Sequence, residues 1–126
     1  MNPLPIKCND TKRIIELNPS TTYIPDIINA SDVVLGKCGY GICSEVVSSK
    51  TPLLYISRTG FAEEAGLIRM VDQLGVEMPK DDYTSGNWLP WVMQAYDKRN
   101  LDTLQYESNG SLFVASTLLS LASIKD

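Results

Sequence analysis

Histidine is absent from the sequence of 126 residues. Without an imidazole, the chain cannot supply a histidine general base, a Ser-His-Asp triad or the histidine ligands of most zinc sites. Long apolar runs are absent as well: no stretch of about 18 apolar residues occurs, so the sequence predicts no membrane-spanning segment. The commonest hydrolase and zinc-enzyme mechanisms are therefore excluded for this chain.

Cysteine is scarce, and its three positions, Cys8, Cys38 and Cys43, lack the spacing of metal ligands. Cys38 and Cys43 are predicted to be small buried side chains without a lowered pKa.

The N-terminus shows neither the charged region nor the apolar core of a secretory signal, so we expect a cytoplasmic protein. A formal net charge of −4 argues against nucleic acid and anionic membranes as partners.

Short apolar runs alternate with segments of helical periodicity along the chain. Runs rich in Val, Leu and Ile predict strands at 33–35, 53–56 and 76–78. The continuous apolar character of 53–56 is typical of a parallel strand that is covered on both faces. The remaining predictions are helices over 23–32, about 42–50, 62–74, 88–96 and 109–122, a further short strand at 12–16, and a polar loop at 81–87.

This alternation predicts one α/β domain over residues 1–126, with a Rossmann-like, three-layer and mainly parallel sheet. A doubly wound domain ordinarily has about five or more strands, so the sheet is expected to lack strands on its N-terminal side. Gly75 is predicted to stop the helix over 62–74.

Two groups of residues are predicted to lie inside the protein or in an interface. The aromatic side chains of Trp88, Trp91 and Tyr96 are expected in a core or an interface. The last helix is expected to bury one face, formed by Leu112, Ala115, Ser116, Leu119 and Ala122.

A glycine-rich turn joins the first predicted strand to the next helix. The span 32–45 reads Asp-Val-Val-Leu-Gly-Lys-Cys-Gly-Tyr-Gly-Ile-Cys-Ser-Glu. A strand, a glycine turn and a helix start are how α/β proteins present backbone N–H groups to phosphate. Lys37 places a cation in this turn, and Glu45 places a carboxylate further along the helix. The alternative is a purely structural turn with a solvated Lys37 and an exposed Glu45.

Residues 37–45 resemble the donor-binding signature of GT-B glycosyltransferases, which many members write as His-Cys-Gly-Trp-Asn-Ser-x-x-Glu. The segments 23–41, 75–78 and 81–91 are more similar still to one branch of that family. It is the glycosyltransferase-like domain (family 28 C-terminal type) found in plant L-arabinokinases and in related stand-alone proteins. The resemblance covers roughly residues 20–122 and implies part of the C-terminal, donor-binding half of a GT-B fold.

The resemblance implies a donor site at the glycine turn. Glu45 falls on the carboxylate that accepts hydrogen bonds from the ribose hydroxyls, and Lys37 falls on a phosphate-contacting histidine. Gly39 and Gly41, on either side of Tyr40, would let the backbone approach the diphosphate.

Two further carboxylates belong to the implied site. Glu63 and Glu64 fall where relatives place an acidic residue and a glutamine on the sugar hydroxyls, and the alternative for both is a solvated helix start. The chain departs from the family at Gly41 and Ile42, which replace an asparagine and a hydroxyl residue. Two side-chain phosphate donors are therefore missing.

The implied function is the binding of a nucleotide-sugar donor, a UDP-sugar, for glycosyl transfer to an acceptor hydroxyl. No metal or other cofactor is expected, because helix dipole, backbone N–H groups and a cation meet the phosphate charge. The catalytic residues are unknown, since the family's acceptor site and base belong to the other half of the fold. A partner chain with that half, or a homodimer, is the expected partner. The alternatives are a non-catalytic nucleotide-sugar-binding module and a truncated fragment without a function of its own.

Overall fold

The computed structural model describes residues 14–18, 20–100 and 109–123, which form six α-helices and three β-strands. In chain order they are α1 (Ile24–Ala30), β1 (Val34–Gly36), α2 (Tyr40–Ser49), β2 (Leu53–Tyr55), α3 (Glu64–Met70), β3 (Gly75–Glu77), α4 (Lys80–Ser85), α5 (Leu89–Asp97) and α6 (Gly110–Ser123). Residues 14–16 are irregular, so the strand predicted there is wrong, and 12 and 13 lie outside the described residues.

The three strands form one parallel sheet in the order β1-β2-β3. Val34 pairs with Leu53, and Leu53 pairs with Gly75. All three residues of the central strand β2 are buried, as its continuous apolar sequence predicts. The predicted α/β class and parallel sheet are therefore confirmed.

Two apolar cores lie on opposite sides of the sheet, because successive residues of β2 point to opposite faces. Leu53 and Tyr55 belong to a core with residues of α1, α2 and α3. Leu54 belongs to a second core with Ala95 of α5, against which Trp88 and Trp91 also pack. The layered arrangement is confirmed, and both tryptophans pack against a core as expected, whereas Tyr96 is 36% exposed.

The helix predicted over 62–74 is shorter, because α3 runs only from Glu64 to Met70. Gly75 does not cap it: this residue opens β3 and has no positive φ. A Cβ at Gly75 would lie 2.9 Å from the carbonyl oxygen of Val71 and 3.1 Å from the ring of Tyr55. Glycine is therefore required where the turn after α3 meets the central strand.

The polar loop predicted over 81–87 is also wrong, because most of it forms α4. Gly86 ends this helix with a φ of 81°. Asp82 then ties α4 to its neighbours: one carboxylate oxygen accepts from Asn87 at 2.8 Å and the other from Trp91 Nε1 at 3.0 Å. These side-chain contacts stabilise a helix too short and polar to show apolar periodicity.

The last predicted helix is present as α6, but it has no buried face among the described residues. Every residue from Gly110 to Ser123 is exposed, and Leu112 and Leu119 are 71% and 69% exposed. The predicted inward face is therefore wrong. In the described part of the chain, no helix has the length and apolarity needed to cross a bilayer.

We predict that Gly75→Ala lowers the free energy of unfolding by about 1–3 kcal/mol, because the added methyl overlaps the Val71 carbonyl and forces the backbone to shift. Urea denaturation followed by circular dichroism measures this. Gly66→Ala is the control, since Gly66 is exposed within α3 and a Cβ there meets nothing within 4 Å. Equal stability of the two variants would show that the close approach at Gly75 is not present.

Candidate functional site

A cavity of about 620 Å³ opens at the edge of the sheet where the parallel strands β1 and β2 end. Ligands in open α/β sheets bind at this edge, beyond the carboxyl ends of the strands. The cavity, called the edge cavity below, is lined by Leu35, Gly36, Lys37, Ile56, Arg58, Lys80, Tyr83, Thr84 and Trp88.

The charged groups that line the edge cavity are all cationic. Lys37 comes from the turn after β1, Arg58 from the segment after β2, and Lys80 from the first residue of α4. No carboxylate is among the described residues of the lining. The edge cavity is therefore suited to an anionic ligand.

The glycine turn forms a second cavity of about 410 Å³, which shares Gly36 and Lys37 with the first. Gly39 is the N-cap of α2 and provides no side-chain cap. The first bond of the helix runs from Cys43 N–H to the Gly39 carbonyl, at 3.0 Å. The backbone N–H groups of residues 40–42 precede that bond, so they have no partner within the helix and are available to an acceptor.

Nothing among the described residues requires glycine at two positions of this turn. Gly36 and Gly41 both lack a positive φ, and a Cβ at either would meet nothing within 4 Å. Tyr40, between Gly39 and Gly41, is 70% exposed. The turn thus leaves open space in front of the helix start.

Arg58 forms an ion pair with Glu64, the second acidic residue of the predicted pair. Glu64 is only 5% exposed, so the alternative of a solvated helix start is wrong for Glu64, whereas Glu63 is exposed as that alternative expects. One oxygen of Glu64 accepts the Arg58 backbone N–H at 2.8 Å, and the other accepts Arg58 Nε–H at 3.2 Å. Both oxygens of Glu64 are therefore engaged, and its predicted contact with sugar hydroxyls stays a prediction.

Two further contacts fix the guanidinium of Arg58. Its Nη2 donates to the carbonyl oxygen of Cys38 at 2.8 Å, which links the segment after β2 to the glycine turn. The guanidinium carbon lies 3.9 Å from the centre of the Phe61 ring, a cation–π contact. The side chain therefore reaches the edge cavity in one defined orientation.

Glu45 lies apart from the edge cavity. It is half-buried and lines a separate cavity of about 390 Å³ between α1 and α2, with Asp26 and Asn29 among its neighbours. The structure thus brings Lys37, Gly39, Tyr40 and Gly41 together at the helix start but does not place Glu45 with them. The ribose contact of Glu45 stays a prediction.

The cysteines beside the site are structural, as the sequence predicts. Cys38 and Cys43 are fully buried, and burial raises the pKa of the Cys38 thiol to about 12. Burial also raises the pKa of Cys43. Both thiols stay protonated at neutral pH and cannot act as nucleophiles. Within the described ranges, no group of His, Cys, Asp or Glu side chains is arranged to hold a metal ion.

Sequence reasoning missed several residues that line the edge cavity. Ile56 follows β2 directly and Arg58 lies in the segment after it, and the rule that ligands bind at the carboxyl ends of parallel strands could have pointed to both. Lys80 and Tyr83 belong to α4, a helix that the sequence pattern did not predict. Trp88, which also lines the cavity, is predicted from the sequence to lie in a core or an interface.

The fold and this edge define an α/β domain with a cationic cavity at the carboxyl ends of its strands. Over 75 residues, which are 58% of the chain, the sequence is 47% identical to L-arabinokinase of Arabidopsis thaliana. The chain spans about 7% of the length of that protein. No protein-family model and no solved structure matches the chain. The likeness to a plant arabinokinase predicted from the sequence is therefore present for part of the chain.

We predict that the two buried thiols resist alkylation in the folded protein at pH 8 and react once it is unfolded in urea, because the thiolate is disfavoured in the fold. Mass spectrometry after iodoacetamide treatment of a Cys8→Ser variant measures this. Rapid modification of Cys38 without urea would contradict the raised pKa.

Since the unfolded thiol ionises from about pH 9, the raised pKa of Cys38 in the folded protein predicts that the free energy of unfolding falls as the pH rises from about 9 towards 12.

Proposed function

We propose that the edge cavity binds the diphosphate of a nucleotide sugar, most simply a UDP-sugar, as the donor site of a glycosyltransferase-like domain. The observation that supports this most directly is the cationic lining of Lys37, Arg58 and Lys80 beside the open start of α2. Cations and unpaired N–H groups together are how metal-free sites neutralise a diphosphate.

The other side of the edge cavity suits the uncharged parts of such a ligand. The rings of Tyr83 and Trp88 stack with centroids 5.4 Å apart and planes 8° apart. Trp88 Nε1–H donates to the Tyr83 carbonyl oxygen at 2.8 Å, which holds the pair in place. Aromatic side chains in the lining support packing against a base or a sugar ring. A cavity of about 620 Å³ also falls within the range of small-molecule sites.

In this proposal the chain's own residues act on the leaving group. When the bond from the sugar to the diphosphate breaks, negative charge builds on the departing phosphate oxygen. Lys37, Arg58 and the N–H groups at the start of α2 stabilise that charge. The resemblance assigns the base and the acceptor site to the other half of the fold, so we propose that a partner chain supplies them.

A binding module without turnover is the second candidate. Gly41 and Ile42 lack the side-chain donors that the family signature provides, which weakens the hold on phosphate but leaves the cations in place. The name of the relative, L-arabinokinase, also makes the phosphates of a nucleoside triphosphate a ligand to test. Both candidates predict binding at the same cavity, and only the transferase predicts donor hydrolysis.

We predict that UDP-glucose and UDP bind saturably in isothermal titration calorimetry and that uridine binds at least about 10-fold more weakly. Lys37→Gln should weaken UDP binding by about 10- to 100-fold, because a charge-assisted contact to phosphate is lost. GDP-glucose and ATP in parallel titrations identify the preferred nucleotide. Glu45→Ala tests the ribose contact, and the absence of binding to every nucleotide would contradict the proposal.

The glycine at position 41 gives an independent test. Gly41→Ala should leave stability unchanged or raise it by about 0.5–1 kcal/mol, because no neighbour meets the methyl and alanine favours a helix. The same variant should weaken UDP binding, because the methyl occupies the space before the helix start. Gly66→Ala is the matched control, with the same gain in helix propensity away from the cavity. Equal UDP affinity of the two variants would show that phosphate does not approach Gly41.

A further inference from the structure

We infer that Arg58 is the residue that selects diphosphate in the edge cavity and that Glu64 is a positioning residue that presents it. This inference rests on the proposed function of the same cavity. It assigns to Glu64 a structural task in place of the sugar contact that the resemblance implies.

The contacts of Arg58 leave one part of its guanidinium directed to the ligand. Nε is occupied by Glu64, and Nη2 is occupied by the Cys38 carbonyl. Nη1 donates no hydrogen bond to any of the described residues, although the side chain lines the cavity. Among the described residues Nη1 has no acceptor, so Nη1 is the part of the guanidinium that can donate to a phosphate oxygen.

The burial of Glu64 explains why its pairing with Arg58 holds the guanidinium in one direction. A carboxylate that is 5% exposed is stable as an anion only when it is paired and hydrogen-bonded, and Arg58 supplies both contacts. The same pair fixes the direction of the guanidinium, so little side-chain entropy is lost when an anion binds. The ring of Phe61 and the Cys38 carbonyl hold the plane of the guanidinium from two other sides.

Lysine cannot replace Arg58 in this role. An ammonium at the end of a flexible chain has a similar charge, but it cannot bond Glu64, the Cys38 carbonyl and a phosphate in one fixed plane. Within the described part of the chain, the ammonium groups of Lys37 and Lys80 make no comparable set of hydrogen bonds. Arg58 is thus the cation at the cavity whose geometry, in addition to its charge, can recognise a phosphate group.

Removal of the Glu64 charge distinguishes two possible roles of this residue. Positioning of Arg58 and simple electrostatics predict opposite changes in the affinity for an anion. Glu64→Gln takes a negative charge away from a cationic cavity, so long-range attraction alone would tighten anion binding. If Glu64 positions Arg58, the same change weakens anion binding, because the guanidinium is no longer held. Asp81→Asn is the matched control: Asp81 is exposed on α4, next to Lys80, and does not line the cavity.

The test is isothermal titration of the full chain and its variants with UDP, uridine and inorganic pyrophosphate. We expect Arg58→Lys and Glu64→Gln to weaken UDP and pyrophosphate binding by about 10-fold or more and uridine binding by less than about 2-fold. Asp81→Asn should not weaken any of them. Thermal melts identify a variant that has not folded, and Phe61→Leu, at a side chain 47% exposed, then provides a milder loss of positioning.

The outcomes distinguish this inference from the proposed function. Unchanged UDP affinity in Arg58→Lys, or tighter binding in Glu64→Gln, would overturn the inference and leave nucleotide binding intact. Binding of pyrophosphate that depends on Arg58, without any binding of UDP, would support the inference and overturn the proposed nucleotide. An equal loss of uridine and UDP in the variants would show that the pair supports the fold and not the phosphate contact.

Discussion

The parallel pairing of β1 with β2 determines where the two cores and the edge cavity of the described structure lie. β2 is only three residues long, yet it pairs with both other strands and contributes to both cores. Because β1 and β2 run in the same direction, the segments that follow them emerge at one edge. Those segments carry Lys37 and Arg58, so the pairing that builds the sheet also brings the two cations to one cavity.

The contact between Arg58 and Glu64 shows how this edge is kept in place. A buried ion pair gives little net stability when its desolvation is counted, so it is poorly explained as a stabilising device. Its geometry is more informative, since Arg58 also bonds the Cys38 carbonyl in the turn after β1. One side chain therefore joins the two segments that border the cavity. The pairing with Arg58 offsets the free-energy cost of burying Glu64. It does so at the place where a ligand would need a fixed cation.

Much of the fold could be predicted from the sequence, because strands buried on both faces and amphipathic helices leave clear apolar patterns. The strand at 53–56 and the helix that includes Val46 are examples. Helix α4 could not be predicted, because its sequence has no apolar periodicity. Contacts of Asp82 with Asn87 and Trp91 stabilise it instead. The same holds for the site. The glycine turn is visible in the sequence as a local motif. Arg58 and Lys80, in contrast, reach the cavity only through tertiary structure. The sequence also gives no sign that Glu64 is buried.

We propose that a diphosphate binds at the edge cavity, against the start of α2. Mapping of amide chemical shifts by ¹H–¹⁵N NMR during titration with UDP tests this most directly. We expect saturable shifts concentrated at the amides of Gly39, Tyr40 and Gly41 and at Arg58. Shifts confined to the cavity between α1 and α2, or no shifts at millimolar UDP, would contradict it.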